Sequence, residues 1–212
     1  DNSWPYWIYG SQQDACAVAI RSRGELGAVT MLDWYPTPAY ENGFVAPDPL
    51  DSRILYMAGS TAGIVKVTKP SNQWVDVSPN VDTSLGLRRT GDQPMIFSRA
   101  NPHELLLGFQ YLMSTTDGAV NWKRISPDLG YPAGATPPAR GGAVGGGRAG
   151  AGGTINAITT SNVAPGVIWV GMSNGLVKVT RNHGLSWQDA SIPGMAPANG
   201  GRAAPVSAID AS

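Results

Sequence analysis

The chain has 212 residues, room for one large domain or two small ones, and its 15 basic and 15 acidic side chains cancel to a formal net charge of zero. That balance argues against nucleic acid or an anionic membrane surface as the main partner. Only 14% of residues are charged while Gly reaches 27 and Pro 17, so many turns and little helix are expected, and no apolar run approaches the length of a membrane span.

In chain order, the first segment is PYWIYGSQQDACAVAIRSRGELGAVTMLDWYP. It reads as three short strands separated by polar turns. Asp1 is not an initiator Met and no signal peptide opens the chain, so a processed, secreted or excised chain is expected. Cys16 is the single cysteine and forms no internal disulfide; it reads as a small buried apolar residue.

A repeat follows. The stretches DSRILYMAGSTAGIVKVTKPSNQWVDVSPN from Asp51, NPHELLLGFQYLMSTTDGAVNWKRISPD from Asn101 and APGVIWVGMSNGLVKVTRNHGLSWQDASIP from Ala164 share one order of features. Each has an apolar strand, a Gly-containing turn, a second apolar strand, a polar turn, a Trp and a short last strand. The Trp residues are Trp74, Trp122 and Trp187, and GIVKVT at 63–68 returns as GLVKVT at 175–180. A further strand precedes each unit, at Gly43, Gln93 and Ile155, and another begins at Val206. Without the Ala/Gly/Pro-rich tract Pro132–Gly153, the period lies near the roughly 40–50 residues of propeller blades. No segment shows a helical apolar stripe.

The predicted fold is therefore all-β: a β-propeller built of blades of four antiparallel strands. A β-sandwich is the competing architecture, but its strands would not recur with a Trp in one place. The expected blades are 43–80, 93–128 and 154–193. Residues 1–37 supply strands two to four of another, and 206–212 supply a first strand. That last segment either completes the first blade and closes a four-bladed ring, or begins a blade of a larger propeller. The tract 132–153 reads as a flexible inter-blade loop.

Within the repeat, Thr115, Asp117, Gly118 and Trp122 share a frame with Thr180, Asn182, Gly184 and Trp187. A carboxylate or amide accepting backbone N–H groups, a Gly at positive φ and a covering Trp make a turn between a blade's last two strands. In the first copy Ala119 stands where Gly is usual, and Gly118 is expected to take over its role. Thr68–Trp74 reads as a degenerate copy without the acid. The frame resembles the Asp-box, or bacterial neuraminidase repeat, Ser/Thr-x-Asp-x-Gly-x-Thr-Trp. That resemblance implies a structural role on the blade periphery, away from the active face.

Beyond this turn, the segments YWIYGSQQD, RSRGELGAVTMLDWYPTP, NPHELLLGFQYLMSTTDG, WKRISPDLGYP and APGVIWVGMSNGLVKVT resemble the secreted bacterial proteins with sortilin-like (VPS10-like) repeats, often labelled glycosyl hydrolase. The resemblance covers the chain except the Ala/Gly/Pro tract. It implies a segment of a larger propeller, located outside the cytoplasm in a secreted, periplasmic or cell-surface protein.

Three functions follow as expectations. In the first, the chain is a binding or scaffold module for carbohydrate or protein ligands, with Arg23, Asp33, Trp34 and Tyr35 as the contact surface, because aromatics, an acid and guanidinium groups gather in a non-repeating segment. In the second it is a glycoside hydrolase of xyloglucanase or sialidase type, using carboxylates from Asp14, Asp33 and Glu41 set about 5–5.5 Å or about 6.5–9.5 Å apart. The Phe/Tyr-Arg-Ile-Pro motif of sialidases is absent. In the third it is a surface assembly component whose incomplete blades pair with the rest of a longer chain or with neighbouring subunits. No cofactor and no metal site are expected, and His103 and His183 read as solvated turn residues.

Overall fold

The computed structural model describes residues 1–12, 14, 17–38, 43–59, 63–79, 86–88, 93–132, 134–135, 152–193 and 203–211. Cys16 and Glu41 lie outside them. Among the described residues, fifteen short strands form four antiparallel sheets taken in chain order. Sheet I holds β1 (Trp7–Gly10), β2 (Val18–Arg21) and β3 (Trp34–Pro36). Sheet II holds β4 (Val45–Pro47), β5 (Ile54–Gly59), β6 (Gly63–Thr68) and β7 (Gln73–Asp76). Sheet III holds β8 (Met95–Phe97), β9 (Leu105–Gly108), β10 (Leu112–Thr115) and β11 (Lys123–Arg124). Sheet IV holds β12 (Ile155–Thr160), β13 (Ile168–Met172), β14 (Val177–Thr180) and β15 (Gln188–Asp189). The only helix among the described residues is one 3-10 turn, Met31–Asp33, and no helix among them is long and apolar enough to cross a membrane.

Each sheet is an up-and-down meander, and successive sheets pack face to face. The chain is a β-propeller. Alternation along β5 shows the logic: Leu55 and Met57 join Ala17, Tyr9, Val65 and Val67 between sheets I and II, while Tyr56 and Ala58 join Leu105, Leu107 and Met113 between sheets II and III. Leu106 and Leu112 meet Ile168, Val170 and Met172 between sheets III and IV. Sheets covered on both faces need continuous apolar strands, which is why LLLG of β9 is buried throughout. Each such Leu contributes roughly 1.5–3 kcal/mol by leaving water.

Two hydrogen-bond devices recur and set the phase of the repeat. At the end of the inner strand, the backbone N–H of Asp48, Ser98 and Ser161 donates to the carbonyl of Ile54, Glu104 and Val167; Asp1 N donates to Trp7 in the same way. Beyond the outer strand, the hydroxyls of Ser78, Ser126 and Ser191 accept from Ile64 N, Leu112 N and Val177 N at 2.8–2.9 Å. Ile64 therefore matches Val177, not Leu176. The similar hexapeptides 63–68 and 175–180 are slipped by one residue: Leu55 pairs with Val67, but the matching Ile168 pairs with Thr180. Gly63 still pairs with Gly59 inside the ladder, whereas Gly175, at φ +82°, lies in the hairpin turn.

The segment from Val206 forms no assigned strand. Val206 N donates to Met172 O as Ile155 N donates to Phe109 O, so it lies on sheet IV in the place that the start of β12 takes on sheet III. It does not pair with β1, and the four sheets do not close into a ring through it.

Candidate functional site

The shared turns come first. Asp117 Oδ1 accepts from Thr115 Oγ1 (2.9 Å), Val120 N (3.1 Å) and Asn121 N (3.0 Å), and Oδ2 accepts from Asn121 Nδ2 (2.8 Å). Bonds from the Asn121 backbone and side chain and from the Thr115 hydroxyl hold the Asp117 carboxyl at about 2. In sheet IV Asn182 Oδ1 accepts from Thr180 Oγ1 (3.0 Å) and Ser186 N (2.9 Å), while Asn182 Nδ2 donates to Ser186 Oγ (2.8 Å). The acid faces a donor amide and the amide faces an acceptor hydroxyl, so each pair is complementary. Gly118 does not replace Ala119: both are left-handed, at φ +75° and +68°, as are His183 and Gly184 at +54° and +86°. Ala119 keeps its methyl buried between sheets II and III, whereas a Cβ on Gly184 would lie 2.0 Å from Ile125 O.

The Trp residues staple neighbouring sheets. Trp122 Nε1 donates to Val77 O (2.8 Å) and Trp187 Nε1 to Ile125 O (3.3 Å), each on the sheet before its own. Trp74 pairs with Val67, the same register position, yet is 62% exposed. Val67 and Lys69 occupy the places of Thr115 and Asp117 there, so the turn lacks both hydroxyl and acid, and Asn72 takes the positive φ. Trp34 pairs with Ile20 at that same position. It is the fourth Trp of the repeat and belongs to the repeated frame, not to a unique loop.

The predicted contact surface is divided by the structure. Asp33 caps its own 3-10 turn, accepting from Thr30 N (2.7 Å) and Thr30 Oγ1 (3.1 Å). Tyr35 points to the other face from Trp34: its ring meets Trp7 edge-on and its hydroxyl donates to Pro70 O (2.7 Å) across the junction with sheet II. Arg23 lies over the ring of Trp4 at 5.6 Å. Sequence reasoning missed Trp4 (77% exposed), Met31 (81%) and Leu32 (89%), which stand beside this loop in full solvent. The segment TMLDW carried a signal for them, since Thr30 and Asp33 form a capping box that aims the intervening apolar side chains outward.

Of the candidate carboxylates, Asp14 and Asp33 lie at opposite ends of β2, and Glu41 lies outside the described residues. Asp14 lies in the turn before β2, and Asp33 lies level with the far end of β2, one place before Trp34. Between sheets II and III, Asp48, Asp51, Tyr56, His103, Thr115 and Gly118 line a cleft of about 130 Å³. The Arg53 guanidinium holds Asp51 at about 2, while burial, then Asp48 and Asp117, push the Tyr56 hydroxyl to about 12. Asp51 is therefore ionised at neutral pH and Tyr56 keeps its proton. His183 is not simply solvated: its Nε2 lies 2.6 Å from Glu104 Oε1, which also accepts from Ser114 Oγ (2.7 Å), so this hydrogen bond joins sheets III and IV. Among the described residues no group of three or more His, Cys, Asp or Glu side chains is placed to hold a metal.

No family model and no curated protein matches the chain. Among solved structures it is similar to a GH74 enzyme of Niastella koreensis (16% identity, TM-score 0.49, covering 85% of this chain and 23% of that one). It is also similar to YCF48 bound to D1 peptide (14%, 0.43, 91% and 46%) and to the GH74 xyloglucanase of Xanthomonas campestris (14%, 0.41, 86% and 36%). The chain thus spans less than half the length of each of these propeller-containing proteins.

Proposed function

We propose that this propeller segment is a binding or scaffold module rather than a hydrolase, and that its contact surface lies on the loop side of sheet I. The observation that carries the reading is the exposure of Trp4, Met31, Leu32 and Trp34, with Arg23 lying over the Trp4 ring. Exposed apolar groups of this density are costly in water, and Trp, Met and Arg are the types enriched where proteins meet partners. Arg23, Trp4, Met31, Leu32 and Trp34 supply the contact, and Asp33 holds the loop that presents them. Aliphatic Met31 and Leu32 favour a protein or peptide ligand over a sugar. The Thr–Asp and Thr–Asn turns support kinship with Asp-box propellers of sortilin-like type, and that kinship carries the proposed location outside the cytoplasm.

The test is a panel of soluble polysaccharides and extended apolar peptides, with binding read by tryptophan fluorescence and reducing ends followed over time. Peptide binding without release is expected, weakened at least roughly tenfold by Trp4→Ala or by Met31→Ser with Leu32→Ser, since losing a buried aromatic anchor costs about 2 kcal/mol or more. Steady release of reducing ends that vanishes in Asp33→Asn or Asp14→Asn would overturn the reading in favour of a hydrolase.

A further inference from the structure

The cleft between sheets II and III departs from the repeat at three of its lining residues. Asp48 stands where Ser98 and Ser161 stand in sheets III and IV, and Tyr56 stands where Leu106 and Trp169 do. Gly118 takes the place of His183, each directly following the acid or amide of its turn. In the next junction the His183 imidazole crosses to Glu104. Gly118 sends no side chain across; a Cβ there would lie 3.5 Å from the Tyr56 hydroxyl and 3.1 Å from Lys66 Nζ. The space of about 130 Å³ lies open beside it.

Two of these residues hold bonding capacity that the fold does not use. Asp48 Oδ1 accepts from Leu50 N (2.8 Å) and Asp51 N (3.2 Å). Ser161 Oγ accepts from Val163 N and Ala164 N in the same pattern, both at 3.2 Å. One oxygen is therefore enough for the turn, and Asp48 Oδ2 is surplus to it. Tyr56 is 2% exposed and lines the cleft, yet its hydroxyl meets no hydrogen-bond partner among the described residues. A buried hydroxyl left without a partner is costly, which points to a group that enters from outside. The other acids are already engaged: Arg53 pairs with both oxygens of Asp51, and Asp117 is held by its own turn.

We propose that this cleft binds a primary ammonium on an aliphatic stem, the side chain of a lysine in a peptide, with Asp48 Oδ2 and the Tyr56 hydroxyl oxygen accepting its protons. Leu50, Phe97 and Pro102 supply the apolar wall for the stem. The carboxylates of Asp48 and Asp117 both act on the Tyr56 hydroxyl through space, so an anion is disfavoured there. Asp48 has a single oxygen to offer, which denies a guanidinium its two-oxygen pairing and leaves the compact ammonium as the better match. Lys66 stands beside the cleft, repels an incoming cation and limits its affinity. No residue of the sheet I surface takes part, so this proposal stands apart from that reading.

The full chain is titrated with N-acetyl-lysine methylamide, and binding is read from the backbone amide resonances of Leu50, Thr116 and Gly118. Saturating shifts at these amides are expected, with those of Met31 and Leu32 unmoved. N-acetyl-norleucine methylamide, which lacks the ammonium, should bind at least roughly tenfold more weakly, and N-acetyl-arginine methylamide several-fold more weakly. Asp48→Asn keeps an oxygen for the turn and Tyr56→Phe keeps the packed ring. Each should weaken the lysine probe at least roughly tenfold while the melting temperature stays nearly unchanged, and Lys66→Met should strengthen it. Absence of shifts at the three amides would overturn the proposal. So would norleucine or arginine probes that bind as tightly as lysine, an unchanged affinity in Asp48→Asn or Tyr56→Phe, or weaker binding in Lys66→Met.

Discussion

Lys66 and Lys178 hold the same place in two nearly identical hexapeptides and point to opposite faces of their sheets. Lys66 stands across from Tyr56, toward the following sheet, with its ammonium 5.6 Å from the ring centre. Lys178 stands across from Val170, toward the preceding sheet, buried, with its ammonium 2.7 Å from Asp189 Oδ2. Lys178→Ala is expected to cost about 2 kcal/mol, because it strips a charge-assisted bond from a buried setting, while Lys66→Ala costs about 0.5–1 kcal/mol for a cation–π contact. Urea unfolding of the two variants checks the order; equal losses would contradict the slip. Burial works to raise the Asp189 carboxyl, but bonds from Lys178 and Ser191 outweigh it and hold it at about 2. Its folded pKa lies below the unfolded value of about 3.9, so this stabilisation is present above pH 4 and is lost as pH falls from about 4 to about 2.

The Asp117–Asn121 pair predicts a compensating exchange. In Asp117→Asn the amide oxygen must still accept the backbone N–H groups of Val120 and Asn121, which turns its NH2 toward the Asn121 NH2. Two donors then face one another and the variant should melt at lower temperature. Adding Asn121→Ser recreates the Asn182–Ser186 arrangement and should recover most of the loss. An additive double variant in thermal melts would disprove the coupling. Since Asp117 is likewise held at about 2, the difference between the original protein and Asp117→Asn should shrink as pH falls from about 4 to about 2.

The Ala/Gly/Pro tract is expected to divide into two parts under deletion. Gly153 N donates to Gly130 O, its carbonyl accepts from Arg88, and Arg88 forms a two-bond pair with Asp128 at 2.9 and 2.6 Å. A Cβ on Gly152 would strike the Tyr131 ring at 2.6 Å. The end of the tract is packed while staying outside any strand; 136–151 lie outside the described residues. Shortening 136–151 to a few residues should leave the melting temperature nearly unchanged, because closure entropy varies only logarithmically with length. Carrying the deletion through Gly153 should lower it clearly by breaking the Arg88–Asp128 junction. Equal effects in calorimetry would refute the division.

Local order was written in the chain before any folding: the alternation of apolar strands with Gly, Pro and polar turns, the recurring Trp, and the Ser after each outer strand all act through near neighbours. The all-β propeller follows from them. Register did not, because the same hexapeptide satisfies its backbone bonds in either of two slips; the hairpin before it and the Ser hydroxyl beyond the outer strand select one. Trp34 escaped the repeat for a related reason. Its turn, 22–33, is longer than the others, so spacing along the chain concealed a match that pairing with Ile20 makes plain. The proposed contact surface was legible only in part: Arg23 and Trp34 were visible as residue types, but the splitting of Trp34 from Tyr35 follows from the two-residue period of a strand, and the exposure of Met31 and Leu32 follows from a capping turn. The separation of Asp14 from Asp33 was decided by tertiary structure alone, since a meander sends successive turns to opposite ends of the sheet and only the pairing of β1, β2 and β3 states which end each residue takes.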